Sequence, residues 1–293
     1  MDWHSKQDIL VTESLNALDE VFSDPSALRR LRGTCDEFIA EKHFANILLR
    51  FRRSDSFRIL DVGCGRGELI GRIAEFFPKA ECLGMDVNAP SIERARELER
   101  ENLRFRVGGF EDVDAEARYD AVICSEVIEH VVEREALLDR LSAALKPGGV
   151  LSISTPSGWM YRLPSPYNIY KICQNPGRFH RLYLTPEKHW EEALAIHPAL
   201  QPSKLRRMIE SRGFRLMTRQ SSLWWLLDQG LTYRTFRFLE RRGWRNAGLS
   251  FQHMLRTLDS LMNALPLFRI FESRFILMLE KTGGESAERR PGG

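Results

Sequence analysis

The sequence predicts an α/β fold: a doubly wound, seven-stranded, mostly parallel sheet of Rossmann-like form, with helices before it and a helical insertion ahead of its last strand. Three observations carry this expectation. An apolar run, Ile59, Leu60 and Val62, leads past Asp61 into three glycines spaced by one residue each, Gly63, Gly65 and Gly67. Helix-like sequence follows from Glu68 to Phe77, so the order is strand, glycine turn, helix. Short apolar strands then keep alternating with helical stretches through residue 154, the pattern of a parallel sheet wound by crossovers.

Residues 1–55 read as a helical cap of two or three helices. Leu28, Leu31, Cys35 and Phe38 recur at spacings of three and four, as do Phe44, Ile47 and Phe51. Asp24 is placed to cap a new helix with Pro25 at its first position. The core spans 56–219 and 273–283. Its glycine turn brings bare amides and a helix N-terminus over a ligand at the carboxyl end of the first strand. The second strand, within residues 82–88, ends in Asp86, about 20 residues past the turn, where doubly wound folds place a ribose-binding carboxylate. A third strand is expected at 103–107 and a fourth at 119–124, running into Ser125, Glu126, Glu129 and His130. Pro147, Gly148 and Gly149 then turn the chain into a fifth, 150–154. Prolines punctuate the rim loops 157–200, which are expected to shape an acceptor pocket. A helix from Gln201 to about Ser211, closed by Gly213, precedes a sixth strand at 214–218, and a seventh lies at 275–279.

Bulk properties leave the partner open. The 293 residues carry 43 Lys/Arg against 40 Asp/Glu, a net charge of +3. Its distribution is uneven. Residues 204–274 hold fourteen basic and five acidic residues, +9, which leaves −6 on the rest. Within that stretch lies the insertion, 220–272, where Trp224, Trp225, Tyr233, Phe236, Phe238 and Trp244 accompany the arginines. Five unpaired-looking cysteines, a start without a signal-peptide pattern and no apolar run of membrane-spanning length predict a cytoplasmic protein, peripheral to the inner face of the membrane if the insertion binds lipid. Residues 284–293 are expected to be disordered.

The ordered set DVGCGRG, GMDVN, YDAVICSEVIEHV and LKPGGVLSISTP resembles class I S-adenosylmethionine-dependent methyltransferases, and the E-x-x-E-H segment is similar to that of ubiquinone-biosynthesis-type O-methyltransferases. The resemblance covers about residues 55–156. It implies S-adenosyl-L-methionine as cofactor, and a seventh strand inserted antiparallel between the fifth and sixth. Asp61, Gly63, Gly65 and Gly67 would meet the methionine moiety and Asp86 both ribose hydroxyls, with Val87 and Ser125 alongside. Relatives often carry an acid for the adenine amino group where this chain has Gly109. Phe110 is then expected to stack on the purine, with Glu111 or Asp112 taking the polar contact.

If a helix starts after the fourth strand, Glu126, Glu129 and His130 fall at i, i+3 and i+4 on one face. Two readings stand. One is a divalent-metal site, Mg²⁺ or similar, with His197 as a further ligand and His180 and His189 as rivals. In the other, the acid caps a helix and His130 serves as base or lines the pocket, as a histidine suits proton transfer near neutral pH. Either favours O-methylation of a small-molecule or lipid-linked hydroxyl. Nucleic acid is the weaker partner, since Thr155-Pro156-Ser157-Gly158 lacks the asparagine that RNA 2′-O-methyltransferases tend to place there. A catalytically silent cofactor-binding scaffold is the third alternative, and the intact glycine turn speaks against it.

Overall fold

The computed structural model describes residues 36–116, 118–157, 201–222 and 274–282, together with Cys173, residues 175–180, Phe238, residues 242–244, Met254, Leu258 and Leu261. Helix α1 (Asp36–Leu48) precedes β1 (Arg58–Val62), α2 (Glu68–Phe76), β2 (Glu81–Asp86), α3 (Ala89–Ala95) and β3 (Leu103–Val107). Then come β4 (Tyr119–Ser125), α4 (Arg134–Ala144), β5 (Leu145–Pro156), α5 (Pro202–Glu210), β6 (Phe214–Ser222) and β7 (Arg274–Lys281). The seven strands form one sheet in the order β3-β2-β1-β4-β5-β7-β6. The first five pair in parallel, and β7 lies antiparallel between β5 and β6, as expected.

Two apolar layers hold the sheet. On one face Phe44 and Ile47 of α1, Ile70 and Ile73 of α2, and Ile92 of α3 cover Ile59, Ala121 and Ile123. On the other, Leu137, Leu138 and Leu141 of α4 and Leu205 and Ile209 of α5 cover Leu60, Val122, Leu151 and Leu277. Alternate residues of each central strand therefore serve opposite layers, which is why these strands read as near-continuous apolar runs. Helix α5 starts at Pro202 behind Gln201, and Gly213, at φ 75°, ends it.

Three strands extend past their sequence bounds by two or more residues at one end. β5 starts at Leu145, and the pairing with β4 jumps from Tyr119↔Leu145 to Ala121↔Val150, so Pro147, Gly148 and Gly149 form a bulge inside the strand. β6 continues to Ser222 and β7 from Arg274 to Lys281, because each completes the other's ladder. Leu28, Leu31, Cys35, Asp24 and Pro25 lie outside the described residues, as do nearly all of 157–200, most of the insertion and the tail.

Candidate active site

The glycine turn links the tips of β1 and β2. The amides of Gly63 and Cys64 both donate to Met85 O, at 2.7 and 2.9 Å. Gly63 sits at φ 77°, and a Cβ there would collide with Val127 beyond β4. Gly65, at φ 55°, is the opposite case: a Cβ would meet nothing within 4 Å. The crest of the turn thus faces open space. Its amide donates to Asp86 Oδ2 at 2.8 Å, and Asn88 N donates to Oδ1 at 2.8 Å. Two backbone amides orient this carboxylate, and its remaining lone pairs can still accept.

Asp61 lies behind the turn, only 2% exposed, and its Oδ1 has no hydrogen-bond partner among the described residues. Burial, reinforced by the charge of Asp86, pushes its carboxyl up to about 7. A buried carboxylate oxygen without a donor is costly unless a cation or donor reaches it.

Beyond β3, Asp112 Oδ2 accepts from Gly109 N at 2.9 Å and caps the short 3₁₀ turn Phe110–Asp112. That commitment separates the two acids the sequence left open. Glu111 is exposed, with its carboxylate over Gly109, where a Cβ would run into it. Phe110 is half-buried against the α4-side core, and Val87 is exposed on the rim.

The end of β4 departs from expectation. Glu126 has φ 54°, a left-handed backbone, and only after it does a 3₁₀ turn, Ile128–His130, begin. No α-helix starts there, so the i, i+3, i+4 face does not exist. Glu129 turns inward, fully buried, with Thr155 Oγ1 donating to its Oε2 at 3.0 Å and Oε1 without a partner among the described residues. Burial, then the nearby charge of Glu126, holds its carboxyl well above the usual range. The next residue, His130, is exposed. Glu126 accepts from Ser154 Oγ at 3.0 Å and pairs with Arg274 Nε at 2.7 Å. Consecutive side chains diverge on a 3₁₀ turn of three residues. No group of three potential metal ligands, Glu126, Glu129 and His130 included, occurs among the described residues. His197 and His189 lie outside those residues, and His180 is exposed.

Sequence reading missed the polar layer that supports this loop. Ser125 Oγ lies 3.3 Å from Ser154 Oγ. One strand step deeper, Ser152 Oγ contacts His43 Nδ1 at 2.7 Å and accepts from Asn46 Nδ2 at 2.9 Å, while Asn46 Oδ1 accepts from Thr218 and Gln220. Burial drives the His43 imidazole down to about 3, so it is neutral. The available signal was Ser152 and Ser154 alternating within an otherwise apolar strand, a polar period of two on a buried element.

Comparison with known proteins agrees with this fold. A family model described as a methyltransferase domain matches residues 53–213. A ubiquinone biosynthesis O-methyltransferase of Nitrobacter winogradskyi is 38% identical over 103 residues, 33% of this chain and 38% of that protein. A trans-aconitate 2-methyltransferase of Deinococcus radiodurans is 32% identical over 100 residues, 34% of this chain and 38% of that protein. The matched part is thus well under half the length of these curated relatives. A solved structure of a putative sarcosine dimethylglycine methyltransferase from Galdieria sulphuraria superposes with TM-score 0.54, covering 83% of this chain and 84% of that one, at 14% identity. At that identity the likeness concerns the fold.

Proposed function

The chain belongs to the methyltransferase-domain family, class I and S-adenosylmethionine-dependent, and on that premise we propose that it methylates a hydroxyl oxygen of a small-molecule or lipid-linked acceptor. One observation carries the cofactor half: the unpartnered Oδ1 of buried Asp61 sits behind a turn whose crest, at Gly65, opens onto space. These residues fit a zwitterionic nucleoside. Asp61 would meet its ammonium, the amides of the turn its methionine chain, Asp86 its ribose, and Glu111 its adenine edge. When bound, the cofactor supplies an electrophilic methyl on a sulfonium.

The chain's own residues then have to place a hydroxyl and take its proton. His130 is exposed just past β4 and is assigned the role of proton acceptor. Glu126, fixed between Ser154 and Arg274, holds the left-handed bend that presents it. Glu129 is assigned to anchoring the same turn through Thr155. No step is routed through a divalent ion, since no group of three potential metal ligands occurs among the described residues. The Nitrobacter relative is an O-methyltransferase, which supports oxygen as the accepting atom.

The test is a split between binding and turnover. Labelled cofactor is incubated with small-metabolite and lipid extracts to find the acceptor fraction, and His130→Ala is then compared with wild type. Turnover should fall about 10²–10³-fold, in the range for removing a general base, with cofactor affinity unchanged by calorimetry. An equal fall in both would overturn the role of His130. Activity that survives chelation on metal-stripped protein is expected, and loss of activity there would restore the metal reading.

A further inference from the structure

We propose that Arg140, aided by Arg106, positions the carboxylate of Glu111 so that the cofactor pocket selects a purine bearing an amino group over one bearing a carbonyl. The inference rests on the cofactor assignment above and names what sets its specificity. Just past the carboxyl end of β3, position 109 is a glycine. A Cβ built on Gly109 would run into Glu111 Oε2 and come within 3.5 Å of Val87 Cγ1. The carboxylate of Glu111 therefore folds back into the space that a side chain at 109 would take. Val87 follows Asp86, the acid assigned to the ribose, so that space adjoins the sugar end of the site.

A carboxylate on a 3₁₀ turn of three residues is placed only as well as the turn is held, because so short a turn has little stability of its own. Every carbonyl of this turn has a donor. Phe110 O accepts from Val113 N at 3.2 Å, Asp112 O from Arg106 Nη2 at 2.7 Å, and Glu111 O from Arg140 Nη2 at 2.5 Å. Arg106 Nη2 also lies 3.2 Å from Met85 Sδ, which ties the turn to the tip of β2. Arg140 stands on α4, whose Leu137, Leu138 and Leu141 share an apolar cluster with Val113 and Phe110. Packing thus fixes the helix, and the helix lends a guanidinium to the turn. The arrangement leaves Arg140 Nε buried without a partner among the described residues, a cost set against the hold on Glu111 O.

A carboxylate accepts hydrogen bonds and cannot donate them. It matches the exocyclic amino group of adenine, whereas the carbonyl of hypoxanthine sets one acceptor against another. Glu111 is exposed, so water moderates the difference. A preference of about tenfold is expected, far below the rejection a buried polar site achieves. Arg140 acts through Glu111 and is a positioning residue.

The experiment is calorimetry of the full chain with S-adenosylhomocysteine and with S-inosylhomocysteine, in which a carbonyl replaces the purine amino group. Wild type should bind the adenosyl compound about tenfold more tightly. Glu111→Gln should bring the two within about twofold, since an amide donates as well as accepts. Arg140→Met should lower the preference by about threefold or more, and Arg140→Lys, which keeps a donor for Glu111 O, should restore most of it. An arginine that only stabilises the fold would weaken both compounds by the same factor, and an unchanged preference in Arg140→Met would overturn the proposal. So would equal binding of the two compounds by wild type, which leaves the cofactor assignment standing. Failure of wild type to bind either compound would sink that assignment and the proposal with it. The thermal midpoint reports folding. If Arg140→Met does not fold, Arg106→Met, which frees Asp112 O, is measured in its place, and a preference unchanged there overturns the proposal equally.

Discussion

The two halves of the sheet build their sites differently. In the cofactor half, β3-β2-β1, the groups assigned to the cofactor sit on strand tips and are set by the backbone beside them. Asp86 is held by the amides of Gly65 and Asn88, and the turn bonds to Met85. In the acceptor half, β4-β5-β7-β6, side chains hold one another across long stretches of sequence. Glu126 meets Ser154 and Arg274, Glu129 meets Thr155, and His43 meets Ser152. A site made from backbone tolerates change nearby and fails at a few glycines. One made from a side-chain network loses function in graded steps as partners are removed.

The largest effect is expected from Gly63→Val. A β-branched residue at φ 77°, driven into Val127, should abolish measurable cofactor binding by calorimetry and lower the thermal midpoint. Retained affinity would break the view that this half is backbone-made. In the acceptor half, Glu129→Leu should lower turnover by about 10²-fold at unchanged cofactor affinity, since it frees Thr155 and the turn bearing His130. Loss of cofactor binding instead would mean that the halves are not separable.

pH provides the next test. On the proposed reading the cofactor's ammonium needs Asp61 ionised, and the free protein holds that carboxyl at about 7. Affinity should therefore fall about tenfold between pH 8 and pH 6, and Asp61→Asn should bind weakly without that dependence. The sign for stability is opposite. Because the folded value is raised, the free protein loses this contribution as pH climbs from the unfolded carboxylate range to about 7, and is flat above. His43, driven down to about 3, works the other way, its contribution full above 6.5 and lost as pH falls toward 3. Urea melts of the free protein across pH 3–9 would show both limbs.

Smaller effects calibrate the network. Arg274→Met should cost about 1–2 kcal/mol, less than a fully buried pair because both partners keep some exposure, and Glu126→Gln added to it should cost little more. At the far, amino-terminal edge of the sheet, Arg58→Ala removes an exposed pair with Glu81 and should change stability by less than about 0.5 kcal/mol.

Legibility followed the same division. Asp61, the three glycines and Asp86 were readable because each is a local pattern, a strand end and a turn that demands left-handed backbone. The place of the antiparallel β7 between β5 and β6 came through resemblance, since 51 residues separate the strands that pair at Ser222 and Arg274. The E-x-x-E-H segment misled. Its spacing matches one helical face, but the backbone of Glu126 is left-handed, and a preference for helix in the residues themselves does not report such a bend.

By itself, then, the sequence determined the doubly wound fold, the glycine turn and the acids at the tips of β1 and β2, because apolar period and backbone conformation are encoded within a few neighbouring residues. Tertiary structure alone decided the partners in the acceptor half. Ser152, Ser154 and Thr155 become a support for His43, Glu126 and Glu129 only when β5 is laid between β4 and β7, with α1 across one face. The physical reason is that a buried polar side chain has to find its partner in space, and those partners lie 26 to 109 residues away along the chain.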